Sequence, residues 1–226
     1  GGAEGGLVTG NIVASTPTWS AGEASITLTT NTGLQIQYQV NEITEGSWTT
    51  VSTGAKVTGL KHNDTVYARL YDGTNFGDYG SVSIKDGIDP QKANIRLSGT
   101  NTTTTESVTA TVTMADNESG VNVTGSKWIY NTRAGNIGTN ESSYTNTFGS
   151  NGEKITLSAT NPGTYYLHVL TVDNAGNKIE TVSNAVTVQY PTIEEVLEAG
   201  DWVRYPSAQG NLDCVVLYDS SSEYGV

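Results

Sequence analysis

Five acidic residues carry the only chemistry that spacing suggests in this chain. Asp173 opens "DNAGN" (173–177) between two apolar runs, Asp116 and Glu118 lie in "ADNESG" (115–120), and Asp86 and Asp89 lie in "KDGIDP" (85–90). A hard cation such as calcium takes about six to eight oxygens, and carboxylates converging from separate loops supply them. The same residues also fit a purely local role. An Asp at a strand end accepts the N–H groups of the following turn, and Gly176 and Asn177 suit the positive φ such a turn uses. No EF-hand spacing is present, which leaves both readings open.

Other catalytic constellations are missing from the sequence. There are two histidines, His62 in a polar turn and His168 on a strand, and the parity of His168 places it on the surface face. No HExxH, GxSxG, phosphate-binding loop or GxGxxG occurs. The chain is therefore expected to be non-enzymatic and to need no cofactor, calcium excepted. Trp19, Trp48, Trp128 and Trp202, with twelve tyrosines, contain the makings of a sugar-stacking platform. Trp128 in "KWIY" and Trp48 at the start of a strand are instead expected to be core or edge cover.

Composition narrows the partners. Net charge is −12, from 11 basic and 23 acidic residues. Duplex binding needs Lys and Arg to displace phosphate counterions, so nucleic acid is excluded as an expected partner, and an anionic membrane surface is disfavoured for the same reason. No apolar run approaches the length that spans a bilayer, so direct membrane insertion is not expected. Cys214 is the only cysteine, which rules out an internal disulfide, and its apolar neighbours suggest an inert buried thiol.

The elements that must position these loops are strands. Only 35% of residues are hydrophobic and 15% charged, and Thr, Ser, Asn and Gly fill the remainder, a balance that favours pleated half-buried surfaces and tight turns. Alternation predicts strands at 24–30, 34–40, 48–51, 55–60, 65–72 and 79–86, then again at 93–99, 106–116, 126–132, 153–159, 163–173 and 178–190. The expected fold is all-β, two tandem Ig-like or fibronectin type III-like sandwiches plus a short C-terminal segment with one brief helix. A Gly-rich lead covers 1–10, the first sandwich 11–86 and the second 87–190. Residues 191–226 form the start of a truncated third domain or a packed hairpin, with a helix at 192–199. The Gly/Asn/Ser-rich stretch 132–151 is a long loop or irregular edge.

The two sandwiches repeat one another weakly. With Asp72 set against Asp173, Val66, Ala68 and Leu70 fall against Leu167, Val169 and Thr171, and period 2 puts each set on the core face. Tyr67, Arg69 and Tyr71, and Tyr166, His168, Leu170 and Val172, take the opposite face. In a sandwich of this kind the start of the first strand and two of the loops gather at one end. That would bring Asp86, Asp89, Asp116, Glu118 and Asp173 toward the junction between the two units.

"GTYYLHVLTVDNAGN" (163–177) resembles the penultimate strand and turn of bacterial Ig-like and fibronectin type III-like modules found in tandem in surface proteins. "ADNESGV" looks like the matching loop after their second strand. The first unit, with "IQYQVN" and "TVYARLYDG", is similar to the same group and to the chitobiase C-terminal type, although "DGTNFG" replaces the D-x-A-G-N turn. The resemblance implies an extracellular location, at the cell surface or secreted, commonly in gut bacteria. It implies a stalk or adhesin segment whose partners are other domains of the same surface protein, with a host glycan or protein as the ligand. As a fragment the chain is expected to be monomeric. The alternatives are an accessory carbohydrate-binding module of a secreted glycoside hydrolase and a phage decoration protein.

Overall fold

Strands form here because β-branched and aromatic residues alternate with Thr, Ser and Gln, which gives each strand one face to bury. The computed structural model describes residues 7–9, 11–191, 202–207 and 210–215. The first unit contains β1 (Leu7–Thr9), β2 (Ile12–Ala14), β3 (Thr18–Ser20), β4 (Glu23–Thr30), β5 (Gln35–Val40), β6 (Thr49–Val51), β7 (Ala55–Leu60), β8 (Thr65–Tyr71) and β9 (Gly80–Ser83). One sheet places β4 between β7 on one side and β2 and β3 on the other, with β1 beyond β2; the second runs β6-β5-β8-β9. Ala24, Ile26 and Leu28 of β4 face inward and pack with Ile36, Val66 and Ala68 of the opposite sheet, all at most 2% exposed.

The second unit contains β10 (Asn94–Leu97), β11 (Asn101–Thr103), β12 (Val108–Thr113), β13 (Lys127–Asn131), β14 (Asn146–Thr147), β15 (Lys154–Leu157), β16 (Gly163–Val172), β17 (Lys178–Val182) and β18 (Val186–Gln189). Its sheets are β10-β12-β15 and β11-β18-β16-β13-β14, with β17 also on β16. The first strand changes sheets at Ser98–Thr100, so β11 runs parallel to β18 while β10 stays antiparallel to β12. The single strand expected over 178–190 is divided. β17 pairs with the end of β16 and β18 with its start, and Ser183 at the break bonds Leu167 through both its backbone N–H and its hydroxyl.

Leu167, Val169 and Thr171 are fully buried, as parity predicts, while Leu70 in the first unit is half-buried against its core. Trp128 packs against the second core as expected. The residues of the opposite face depart from expectation. Leu170 and Val172 form a second apolar cluster with Tyr144, Ile129 and Ile137, because the 132–145 segment folds over the outer face of the sheet. His168 is consequently 0% exposed and not a surface residue. Its Nδ1 lies 2.8 Å from Glu180 Oε1 and its Nε2 2.8 Å from the Arg133 carbonyl. In the first unit Arg69, also on the outer face, is only 4% exposed, because Trp48, just before the edge strand β6, covers it.

Beyond the second unit, β19 (Trp202–Ser207) and β20 (Gly210–Val215) pair antiparallel, with Trp202 opposite Val215. The helix expected at 192–199 and the side chain of Cys214 lie outside the described residues.

Candidate inter-sandwich cation site

Asp173 directly follows β16, the longest strand of the second unit. Its Oδ1 accepts the N–H groups of Ala175 and Asn177 at 2.9 and 2.8 Å, and its Oδ2 accepts from the Asn177 side-chain amide at 2.8 Å. Asp72 does the same in the first unit, accepting from the N–H groups of Thr74 and Asn75 at 2.8 and 2.6 Å. The repeated Asp is therefore a turn-capping device. Gly176 takes φ +91°, but Asn177 is not among the positive-φ residues, so the glycine alone supplies the left-handed step. We expect Gly176→Ala to destabilise the second unit by about 1–2 kcal/mol through that strain, read as a lowered denaturation midpoint.

What separates Asp173 from Asp72 is its company. The 116–120 loop is pinned to the 173–177 turn by Asn174 N–H to the Gly120 carbonyl at 2.8 Å and by the Asn174 amide to the Ser119 carbonyl at 2.9 Å. Asp86 arrives from the segment joining the two units. Its N–H donates to His62 Nδ1 at 2.9 Å, and its carboxylate accepts from the Ile88 and Ser119 N–H groups at 3.0 and 3.1 Å. Gly22 of the first unit adds a backbone bond to the Asn117 carbonyl at 2.9 Å.

Asp86, Asp116 and Asp173 thereby each bring a carboxylate oxygen within 4.8 Å of the other two. A calcium ion takes oxygens at about 2.3–2.6 Å, so three carboxylate oxygens this close together are near the spacing of oxygens that share one ion. Asp116 Oδ2 accepts from the Gly120 N–H at 2.6 Å, while its Oδ1 and the Ser119 hydroxyl are buried with no hydrogen-bond partner. None of the ion pairs among the described residues involves the three acids. Of the five acids singled out in the sequence, the fold joins these three. Glu118 lies beside Asp116 and raises its pKa, whereas Asp89 is exposed and outside the cluster. Ser119 was not anticipated; it emerges only once its loop closes over Asp86.

Burial, and then the neighbouring carboxylates, push the Asp116 and Asp173 carboxyls above 3.8. The folded unit thus holds protons that the unfolded chain has released. These two groups stabilise the cation-free fold below pH 3.8 and lose that contribution as pH rises through their raised values. Asp72 is opposite: backbone N–H bonds from the turn lower its pKa, so its contribution is present above 3.8 and fades as pH falls through the lowered value. In chelator, the melting temperature of Asp116→Asn is expected to fall less steeply with rising pH than that of the parent over this window. Calorimetry of the two chains at matched pH checks the difference.

The strand pairing defines the class: two all-β sandwiches in tandem, the first with a sheet around β4 facing one around β5 and β8, the second with a sheet around β12 facing one around β16. No family model matches the chain, and no curated protein sequence matches it. Among solved structures it is similar to a two-domain fibronectin type III segment of chicken tenascin, with 14% identity, TM-score 0.44, and coverage of 76% of this chain and 97% of that one. It is also similar to the D0-D1 domain of intimin, with 15% identity, TM-score 0.30, and coverage of 76% and 93%. The fibronectin(III)-like modules of Clostridium thermocellum CbhA match with 13% identity, TM-score 0.31, and coverage of 79% and 93%. Its structural neighbours are thus fibronectin type III and Ig-like tandem modules.

Proposed function

We propose that this chain is a non-enzymatic extracellular segment of a bacterial surface protein, a stalk or adhesin spacer whose two sandwiches are fixed end to end by calcium. One observation carries the reading: three carboxylates meet at the junction, and one of them, Asp86, comes from the connecting segment itself. A cation there ties the linker to two loops of the second unit and stiffens the joint. Uncompensated, the same three carboxylates repel one another in a desolvated site.

The histidines support the non-catalytic part. His62 uses Nδ1 to accept the Asp86 N–H, and His168 is buried between Glu180 and a carbonyl, so neither is poised beside a nucleophile. Two clefts of about 230 and 270 Å³ contain a single carboxylate between them, Glu42, and no acid pair of the kind glycoside hydrolysis requires.

Small-angle scattering in calcium and in chelator tests the spacer. Calcium is expected to sharpen the inter-unit peak of the distance distribution, and Asp116→Asn is expected to behave in calcium as the parent does in chelator. Identical profiles under all four conditions would sink the cation-stiffened joint. Protease shaving of intact producing cells tests location, with release of peptides from both sandwiches as the expected result.

A further inference from the structure

The 132–145 segment is fastened to the outer face of the second sandwich through one buried pair, His168 of β16 and Glu180 of β17. Two oxygens flank the imidazole: Glu180 Oε1 lies 2.8 Å from Nδ1, and the Arg133 carbonyl lies 2.8 Å from Nε2. A carbonyl only accepts, so Nε2 carries a proton. Both oxygens of Glu180 already accept N–H groups, from Ile137 at 2.9 Å and from Gly138 at 2.8 Å. The carboxylate thus serves as an ionised, acceptor-only group, and Nδ1 must donate to it as well. The ring is therefore a cation closed between two acceptors, one on β17 and one on the segment. The Tyr144 hydroxyl donates to the Gly138 carbonyl at 2.7 Å; burial, and then the Glu180 charge, raise its pKa and keep it a donor. Tyr166 shares the face of β16 two residues earlier. Lys127 of β13 and Lys178 of β17 reach Glu141 at 3.5 and 2.8 Å, and Arg133 is exposed apart from the carbonyl it lends.

We infer that His168 and Glu180 form a proton-dependent clasp: the second ring proton holds the 132–145 segment against the sheet, and its loss at alkaline pH loosens the segment. Without that proton a ring lone pair faces either the carboxylate or the carbonyl at 2.8 Å, acceptor against acceptor, in a site closed to solvent. Glu180 is then a buried charge with no counter-charge beside it. β16 and β17 cannot yield, because their ladder runs unbroken from His168–Val182 to Val172–Lys178. The segment is the side that gives, since side-chain bonds from Glu180 hold it at Ile137 and Gly138. Its movement lets water reach both acceptors and uncovers Ile129, Leu170 and Val172. The apolar contacts of Tyr144 and Ile137 still resist, so deprotonation shifts the opening equilibrium and does not free the segment outright. The clasp thereby ties exposure of an apolar face to pH.

Amide hydrogen exchange of the full 226-residue chain tests the clasp, with chelator present throughout so that the junction acids add no cation-linked change. Protection factors, which remove the intrinsic pH dependence of exchange, are the quantity compared. Those of the Ile137 and Gly138 amides are expected to fall about tenfold or more between about pH 6 and about pH 9, while those of β12 hold. His168→Gln cannot carry the charge, and its segment is expected to be loose at the lower pH and to change no further. A second reading needs no variant. Nitrogen NMR of the parent is expected to show both His168 ring nitrogens protonated at about pH 7.5, where a free imidazole has lost one proton. A ring with a single N–H at that pH would overturn the proposal. So would protection at Ile137 and Gly138 that stays level across the range, an equal fall in β12, or a His168→Gln chain that keeps the parent's pH response.

Discussion

Adding calcium to the chelated chain is expected to raise the melting temperature of the second sandwich by roughly 10–20 °C once free calcium reaches a hundredfold excess over its dissociation constant. Binding to the folded state alone contributes about 2.7 kcal/mol at that excess, and for a unit of this size each kcal/mol moves the midpoint by about 4–8 °C. The relevant side chains are Asp86, Asp116 and Asp173, of which Asp116 allows the cleanest substitution. In Asp116→Asn the amide oxygen still accepts from the Gly120 N–H, so the loop keeps its closure while one charge disappears. This variant is expected to lose the calcium response and, in chelator, to melt no lower than the parent, because it relieves the repulsion among the three acids. Differential scanning calorimetry separates the outcomes. Equal melts of the parent with and without calcium, or a variant that keeps the parent's shift, would remove the junction site.

Glu180→Ala is expected to destabilise the second sandwich by about 3–5 kcal/mol, because it leaves several buried hydrogen-bonding groups without a partner at about 1–3 kcal/mol each. Glu180 is 6% exposed and holds three groups at once. It faces His168 Nδ1 at 2.8 Å and accepts the N–H groups of Ile137 and Gly138 at 2.9 and 2.8 Å. The Tyr144 hydroxyl then closes the loop onto the Gly138 carbonyl at 2.7 Å. Removing the carboxylate strands a buried imidazole and two loop N–H groups, and uncovers Leu170 and Val172. Limited proteolysis is expected to cut within 132–145 in the variant and not in the parent. Urea melts provide the magnitude, and a loss below about 1 kcal/mol would show that the outer cluster, not the carboxylate, holds the segment.

Much of this fold is legible in the sequence because period 2 is a local property. Ala24, Ile26 and Leu28, or Leu167, Val169 and Thr171, announce their shared face by spacing alone, and the structure buries each. The turn chemistry of Asp72 and Asp173 is equally local, since an Asp and the N–H groups it caps lie within four residues. Spacing was a poorer guide to His168 and Arg69. Parity says which face a side chain takes but not what covers that face, and here the covers are the 132–145 segment and the loop bearing Phe76. The parallel pairing of β11 with β18 was also unreadable, because it joins residues more than eighty positions apart.

The candidate site shows the same division. The sequence by itself determined an acidic, all-β chain with tandem strand grammar, and it determined which loops carry acids. Only the tertiary structure decided that Asp86, Asp116 and Asp173 share one desolvated pocket while Asp89 stays in solvent, and that Ser119 joins them. Strand alternation and turn caps are set by neighbours along the chain. The meeting of three carboxylates depends on how two loops and a linker close over a distance that no local pattern encodes.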